Sequence, residues 1–196
     1  MLRIDLLRHG HVEGGVKYRG MVDDPLTEEG RIVMNQVWQS LESTPSVIIS
    51  SPLSRCLEPA REWALQAGIP CVVEPGIIEL HYGAWEGKTA EEIELISPGL
   101  LRQWRTNPEH LQPPQGESMH DFAQRIQVFW QEMLGLYQGE HLLLVGHSGS
   151  IRMLIAHALQ APIVSTRHLA MPYACWSRIE IEQGEASLVF HARQAL

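Results

Sequence analysis

The chain opens with Leu2-Arg3-Ile4-Asp5-Leu6-Leu7-Arg8-His9-Gly10, where apolar and polar positions alternate and then run apolar. That pattern predicts a short buried strand, stopped by a glycine that permits a sharp turn. Residues 11–26 read as a polar, glycine-containing loop. Thr27 then stands as an N-cap, with Glu28 and Glu29 at the positive end of a helix dipole. Ile32, Val33, Val37 and Leu41 share one helical face, which carries this helix to about Ser43. Val47-Ile48-Ile49-Ser50 predicts a second strand, Ser51-Pro52 the opening of a second helix through Ala67, and Pro70–Glu74 a third strand.

From Glu79 to Gly116 the periodicity loosens. Thr89-Ala90-Glu91-Glu92 forms a capping box that starts a short helix, and residues 106–117 read as a surface loop rich in Pro, Gln and Gly. Ser118 with Asp121 opens a long amphipathic helix whose buried side is marked by Phe122, Ile126, Phe129, Trp130, Met133 and Leu134. Leu142-Leu143-Leu144-Val145 is the most apolar strand and ends at Gly146-His147-Ser148-Gly149, followed by a helix from about Ser150 to Leu159. Trp176–Glu182 and Ala186–His191 alternate around Gln183-Gly184, as an edge hairpin would. Strands alternating with helices imply a mostly parallel sheet covered on both faces. The expected fold is α/β: a three-layer α/β/α sandwich forming one domain over residues 1–196.

Composition narrows the function. Among 196 residues, 44% are apolar and 19% charged, which is ordinary for a globular protein. The net charge is −8 with no run of Lys or Arg, which argues against a nucleic-acid or membrane-surface protein. An anionic ligand would have to meet a local basic pocket. Cys56, Cys71 and Cys175 lack metal-ligand spacing and fit a reducing compartment. No signal peptide or membrane-length apolar run is present, so the cytoplasm is the expected location.

The candidate chemistry sits at strand ends, where open α/β sheets bind ligands. Arg8 and His9 close the first strand, although alone they read equally well as a surface arginine and a hydrogen-bonded histidine. Arg55, in Ser51-Pro52-Leu53-Ser54-Arg55, falls at a helix start, where a guanidinium fork adds to a natural anion site. His147 lies between a buried strand and a helix N-terminus with its unpaired N–H groups. Together these parts specify a phosphate pocket: strong donors, no metal or other cofactor required, and an uncharged nitrogen available as nucleophile.

Arg8-His9-Gly10, Ser51-Pro52-Leu53-Ser54-Arg55, Glu79-Leu80-His81-Tyr82-Gly83-Ala84-Trp85-Glu86-Gly87 and Gly146-His147 resemble, in order and spacing, the histidine phosphatase (phosphoglycerate mutase-like) superfamily. The match spans nearly the whole chain. It implies a phosphomonoesterase in which His9 attacks phosphorus and carries a phosphohistidine, while Arg8, Arg55 and His147 hold the phosphoryl oxygens. Ser148 and Gly20 are counted with them as substrate-binding positions, and Glu79 is implied to protonate the leaving oxygen. These roles agree with phosphoryl-transfer chemistry, which is mainly positioning and charge stabilisation. Neighbouring cations should keep His9 neutral, and an alkoxide leaves poorly unless a carboxyl group protonates it.

Gly14-Gly15 through Arg19-Gly20 and Asp23-Asp24-Pro25-Leu26-Thr27-Glu28-Glu29-Gly30 look like the α-ribazole phosphatase branch of cobalamin synthesis. His11, Val12 and Gly15 depart from the Glu, Thr and Asn common in the superfamily, at positions that bear on substrate preference. The chain is also short for a cofactor-dependent phosphoglycerate mutase, which favours hydrolysis of a small phosphorylated metabolite. His81, Tyr82, Trp85 and the 102–118 region with Trp104 and His110 are candidate pocket walls, or packing.

Rival readings are weaker. Gly146-His147-Ser148-Gly149-Ser150 resembles a serine-hydrolase elbow, but no Asp follows Asp121 to complete the order of a triad. His9 and His11 form an H-x-H pair beside a repelling Arg8, without further ligands at metal spacing. A non-catalytic phosphoester-binding protein on the same fold would be expected to lack His9 or Glu79, and both are present.

Overall fold

A computed structural model describes residues 1–195; Leu196, the end of the expected 1–196 unit, lies outside the described residues. The elements follow in the order β1 (Leu2–Arg8), α1 (Glu28–Gln39), β2 (Val47–Ser50), α2 (Ser54–Ala67) and β3 (Cys71–Val73). Then come α3 (Ala90–Ile96), α4 (Leu100–Thr106), α5 (Met119–Leu136), β4 (His141–Gly146), α6 (Ser148–Ala158), β5 (Trp176–Glu182) and β6 (Glu185–Arg193). Short 3₁₀ turns lie at Pro75–Ile77, Gly83–Trp85 and Ile163–His168.

The strands form one sheet in the order β3-β2-β4-β1-β5-β6. The first four run parallel, and β5 joins β1 antiparallel with β6 as its hairpin partner. Period-two alternation gives each strand two apolar faces. Leu7, Ile48, Leu143 and Val145 meet Met34, Val37, Ala60 and Trp63 of α1 and α2. Ile4, Leu6, Ile49 and Leu144 meet Phe122, Ile126, Ile151 and Leu154 of α5 and α6. The fold is the expected three-layer α/β/α sandwich.

Adjacent β1 and β4 send the chain into helices on opposite faces of the sheet, so a crevice opens between their carboxyl ends. Arg8 pairs with Gly146, and the His9 N–H donates to the Gly146 carbonyl at 3.0 Å. His9 and His147 are therefore brought together by strand register. The turn beyond His9 packs tightly on α1: a Cβ on Gly10 would lie 2.3 Å from the Gly30 carbonyl oxygen.

Several boundaries differ from the sequence reading for identifiable reasons. α1 stops at Gln39, with Ser40 as its C-cap and the Ser40 hydroxyl donating to the Gln36 carbonyl at 2.7 Å. α2 begins at Ser54 rather than at Ser51-Pro52. The Ser51 N–H is taken by the Val145 carbonyl at 3.0 Å, prolonging the sheet. Asp23 from the preceding loop then caps α2, its Oδ1 accepting from the Ser54 N–H and hydroxyl at 2.8 Å each. α6 starts at Ser148, with the His147 N–H donating to the Ser150 hydroxyl at 3.1 Å. α4 was not anticipated, being short, preceded by Gly99 and anchored only through Leu101 and Trp104. β6 continues past His191 to Arg193 across an irregular register between Trp176 and Ile179.

Beneath the crevice, Asp5 is fully buried in the middle of β1. Its carboxylate accepts from Arg178 Nε at 2.9 Å and Nη2 at 3.2 Å and meets His141 Nε2 at 2.8 Å. Removing one member of a buried ion pair strands the other in a low-dielectric interior. Asp5→Ala should cost about 3–5 kcal/mol of folding stability, read as a lowered urea midpoint. A change below about 1 kcal/mol would mean that Glu42, which also pairs with Arg178 at 2.8 Å, suffices alone.

Candidate active site

His9 sits at the mouth of the crevice with 7% of its surface exposed. Its Nδ1 lies 2.8 Å from the Gly10 carbonyl oxygen. A carbonyl only accepts, so Nδ1 carries the hydrogen and the lone pair of the neutral ring rests on Nε2. Burial, followed by Arg8 and Arg55, pushes the His9 pKa well below the ordinary histidine value. His147 lies 5.3 Å away between ring centroids, and burial, Arg55 and His9 depress its pKa in the same way. Its Nε2 is 2.7 Å from the Ser51 hydroxyl.

The two arginines beside the histidines are held by backbone carbonyls instead of carboxylates. Arg55 donates from Nη1 to the Val22 carbonyl at 2.7 Å and from Nη2 to the Gly20 carbonyl at 3.1 Å. Arg8 donates from Nη1 to the Met171 carbonyl, and its guanidinium lies 3.9 Å over the Tyr173 ring. A carbonyl orients a guanidinium without cancelling its charge. The Nε atoms of Arg8 and Arg55 are buried with no hydrogen-bond partner among the described residues. Orphaned cationic donors of this kind call for an acceptor.

The acceptor loop for Arg55 is itself fixed. Glu86 accepts from the backbone N–H groups of Gly20, Met21 and Val22 at 3.1–3.2 Å and of Tyr82 at 2.8 Å. Glu79 is 5% exposed and faces the same cavity. Its Oε2 accepts from the Gly149 N–H at 2.9 Å and the Ser148 hydroxyl at 3.3 Å, and its Oε1 from the Leu80 N–H at 3.0 Å. A Cβ on Gly149 would lie 2.2 Å from Oε1, so only glycine lets the start of α6 approach this carboxyl group. Behind it, Arg125 donates to the carbonyls of Gly76, Ile78 and Glu79 and pairs with Glu117 at 2.7 Å.

A cavity of about 600 Å³ opens on these groups, lined at its base by Arg8, His9, Glu79 and Ser148. Arg55, His147 and Gly20 do not line it; they stand behind its wall, Gly20 as the acceptor that holds Arg55. Of the candidate walls, Tyr82 and Trp104 line the cavity. Trp85 is instead buried core, edge-on to Trp104 at 5.8 Å, and His81 and His110 lie off the cavity. Tyr173, Arg125 and Ser51 had no assigned role in the sequence reading. Tyr173 belongs to an irregular segment, and Arg125 looks like any polar residue of an amphipathic helix.

The alternative chemistries find little here. Burial pushes the Cys56 thiol up to about 12. Ser148 faces Glu79, while His147 faces Ser51, so no histidine base serves the candidate elbow serine. His11 is exposed against Tyr173, and no group of three or more metal-ligating side chains is gathered among the described residues. No helix among them is long and apolar enough to cross a membrane.

Comparison with known proteins identifies the family. The sequence profile of "Histidine phosphatase superfamily (branch 1)" matches residues 4–194. An adenosylcobalamin/alpha-ribazole phosphatase from Salmonella typhimurium is 29% identical over 190 residues, covering 95% of this chain and 94% of that protein. The crystal structure of the alpha-ribazole phosphatase from Shigella flexneri superposes with a TM-score of 0.88 at 28% identity, covering 97% of this chain and 96% of the other. A mycobacterial glucosyl-3-phosphoglycerate phosphatase, solved with inorganic phosphate, superposes with a TM-score of 0.87 at 27% identity, covering 98% of each chain. With a matching profile over almost its whole length, this chain belongs to the histidine phosphatase superfamily, branch 1, and is a hydrolase of the phosphatase type.

Proposed function

We propose that the protein hydrolyses a small phosphomonoester, without a metal, through a phosphohistidine on His9. The observation that carries this reading is the tautomer: Nδ1–H is committed to Gly10, and Nε2 is left bare beside two arginines that lack carboxylate partners among the described residues. In the first step the Nε2 lone pair forms a bond to phosphorus as the P–O bond to the alcohol breaks. The leaving oxygen takes the proton of the Glu79 carboxyl group. In the second step Glu79 takes a proton from water as its oxygen bonds to phosphorus. The P–N bond breaks, and its electron pair returns to His9 as inorganic phosphate leaves. Arg8, Arg55, His147 and Ser148 stabilise the charge on the phosphoryl oxygens throughout.

For the substrate, the loop resemblance and the Salmonella relative support α-ribazole 5′-phosphate, which would place the enzyme in cytoplasmic cobalamin synthesis. The glucosyl-3-phosphoglycerate phosphatase is similar to the same degree and supports a different or broader small-molecule specificity. A panel of α-ribazole phosphate, nucleoside monophosphates, phosphoglycerates and p-nitrophenyl phosphate, run with EDTA, separates these. Phosphate release unaffected by EDTA is expected. Loss of activity on chelation would reject the metal-free mechanism, and silence across the panel would favour a phosphoester-binding protein.

His9→Ala should lower turnover by at least about 10³-fold while leaving the urea midpoint and circular dichroism of a folded protein. Glu79→Gln should slow alkyl phosphates by about 10²–10⁴-fold and p-nitrophenyl phosphate far less. Equal slowing of both would remove Glu79 from the proton-transfer role.

The depressed His9 pKa has two consequences with opposite signs. The nucleophile stays unprotonated as pH falls through 6.5, so kcat/KM should hold there once the ester's own ionisation near about 6 is corrected for. The unfolded chain, in contrast, binds protons at histidine below 6.5 that the folded chain refuses. Stability should therefore be complete above that value and decline as pH falls below it. Urea midpoints across that range, with His9→Ala showing the shallower decline, check the second point.

A further inference from the structure

The phosphoryl end of the cavity uses Arg8 and, from behind, Arg55. The remainder of the wall carries more positive charge than a phosphoryl group needs. Lys17, Arg105, Arg152 and Arg167 also line the cavity, whereas Glu79 is the only carboxylate that does so among the described residues. None of these four cations pairs with a carboxylate among the described residues. In a chain of net charge −8 this clustering is not an effect of composition.

The three arginines are tied into the wall by hydrogen bonds. Arg105, in the last turn of α4, donates through Nε to the Tyr18 hydroxyl at 2.8 Å, next to Lys17. Arg167 donates through Nη1 to the carbonyl of Thr106 at 2.9 Å, which ties the Ile163–His168 turn to the end of α4. Arg152 donates through Nε to the carbonyl of Leu169 at 2.9 Å and has no acceptor on its Nη atoms among the described residues. Backbone and hydroxyl partners again orient these guanidinium groups without neutralising them. Between them stand Tyr82, Trp104, Met119 and Phe122, which supply apolar surface.

A phosphomonoester dianion is matched by the two arginines of the phosphoryl end. Four further cations without a carboxylate partner among the described residues, Arg105 and Arg167 exposed and Lys17 and Arg152 half-buried, give the cavity a positive field that a second anion would meet at close range. We infer that this wall is a second anion subsite, and that the preferred substrate is a phosphomonoester whose leaving alcohol carries its own carboxylate or second phosphate. The inference rests on the phosphomonoesterase reading above and extends it to the leaving group. It disfavours α-ribazole phosphate, whose leaving nucleoside bears no second anion.

Matched esters test it. 3-Phosphoglycerate and glycerol 3-phosphate differ at one carbon, a carboxylate against a hydroxymethyl group. Fructose 1,6-bisphosphate against fructose 6-phosphate does the same for a second phosphate. The wild-type enzyme should prefer the doubly anionic member of at least one pair by about tenfold or more in kcat/KM, as charge-assisted hydrogen bonds would give. The pair that shows the preference identifies the anion. Arg152→Met and, at an exposed position less able to disturb folding, Arg167→Met should each shrink that ratio. Equal rates within both pairs would overturn the subsite. So would variants that slow both members alike, or a preference that vanishes at high ionic strength, since long-range steering of the more highly charged ester is screened by salt and a contact subsite much less. p-Nitrophenyl phosphate hydrolysis reports the phosphatase reading separately: without it both readings fall, and with it the ratio decides the subsite alone.

Discussion

The arrangement depends on burying two histidines and Arg55 together, with Arg8 half-buried beside them, while neither arginine has a carboxylate partner among the described residues. Such a cluster is unfavourable by itself, since each guanidinium loses water and each imidazole is denied its proton. The cost is offset by fixed dipoles. Carbonyls of Gly20, Val22 and Met171 receive Arg55 and Arg8, and Glu86 fixes the Gly20–Val22 loop through its N–H groups. Carboxylates in place of those carbonyls would hold the arginines as firmly but leave no charge for a phosphoryl group. Pre-oriented but unneutralised charge is what phosphoryl transfer needs from a protein.

The surroundings of Glu79 follow the opposite rule. Glu79 lies among neutral donors, the N–H groups of Leu80 and Gly149 and the Ser148 hydroxyl. Arg125 reaches only its backbone carbonyl and spends its charge on Glu117. Arg125 thus fixes the Glu79 backbone without touching its carboxylate oxygens.

The layered fold was legible in the sequence because its signals are regular: alternation in β1, the unbroken apolar run of β4, and the apolar stripe of α5. The boundaries that shifted depend on partners far along the chain. Asp23 caps α2 from a loop, and Val145 takes the Ser51 N–H. No local pattern at Ser51-Pro52 could reveal either. The same holds in the site. Arg8, His9, Arg55 and His147 stand at strand ends and helix starts, which a sequence marks. Tyr173 and Ser51 matter through tertiary contacts alone, and Arg105 and Arg167 take their places from α4 and a short turn that lack a strong repeat.

The register of β1 carries an implication for how the molecule is made. Arg3 pairs with His141 and Leu2 with Ile181, so the first strand finds its neighbours only in the last third of the chain. Contacts so distant in sequence are slow to form, because loop-closure entropy is met before any packing rewards it. During synthesis His9 leaves the ribosome early and then waits for β4 to deliver Gly146 and His147, and for the following segment to deliver Met171 and Tyr173. Until then it is an ordinary solvated imidazole. His9 is encoded early, and the neighbours that surround it arrive last.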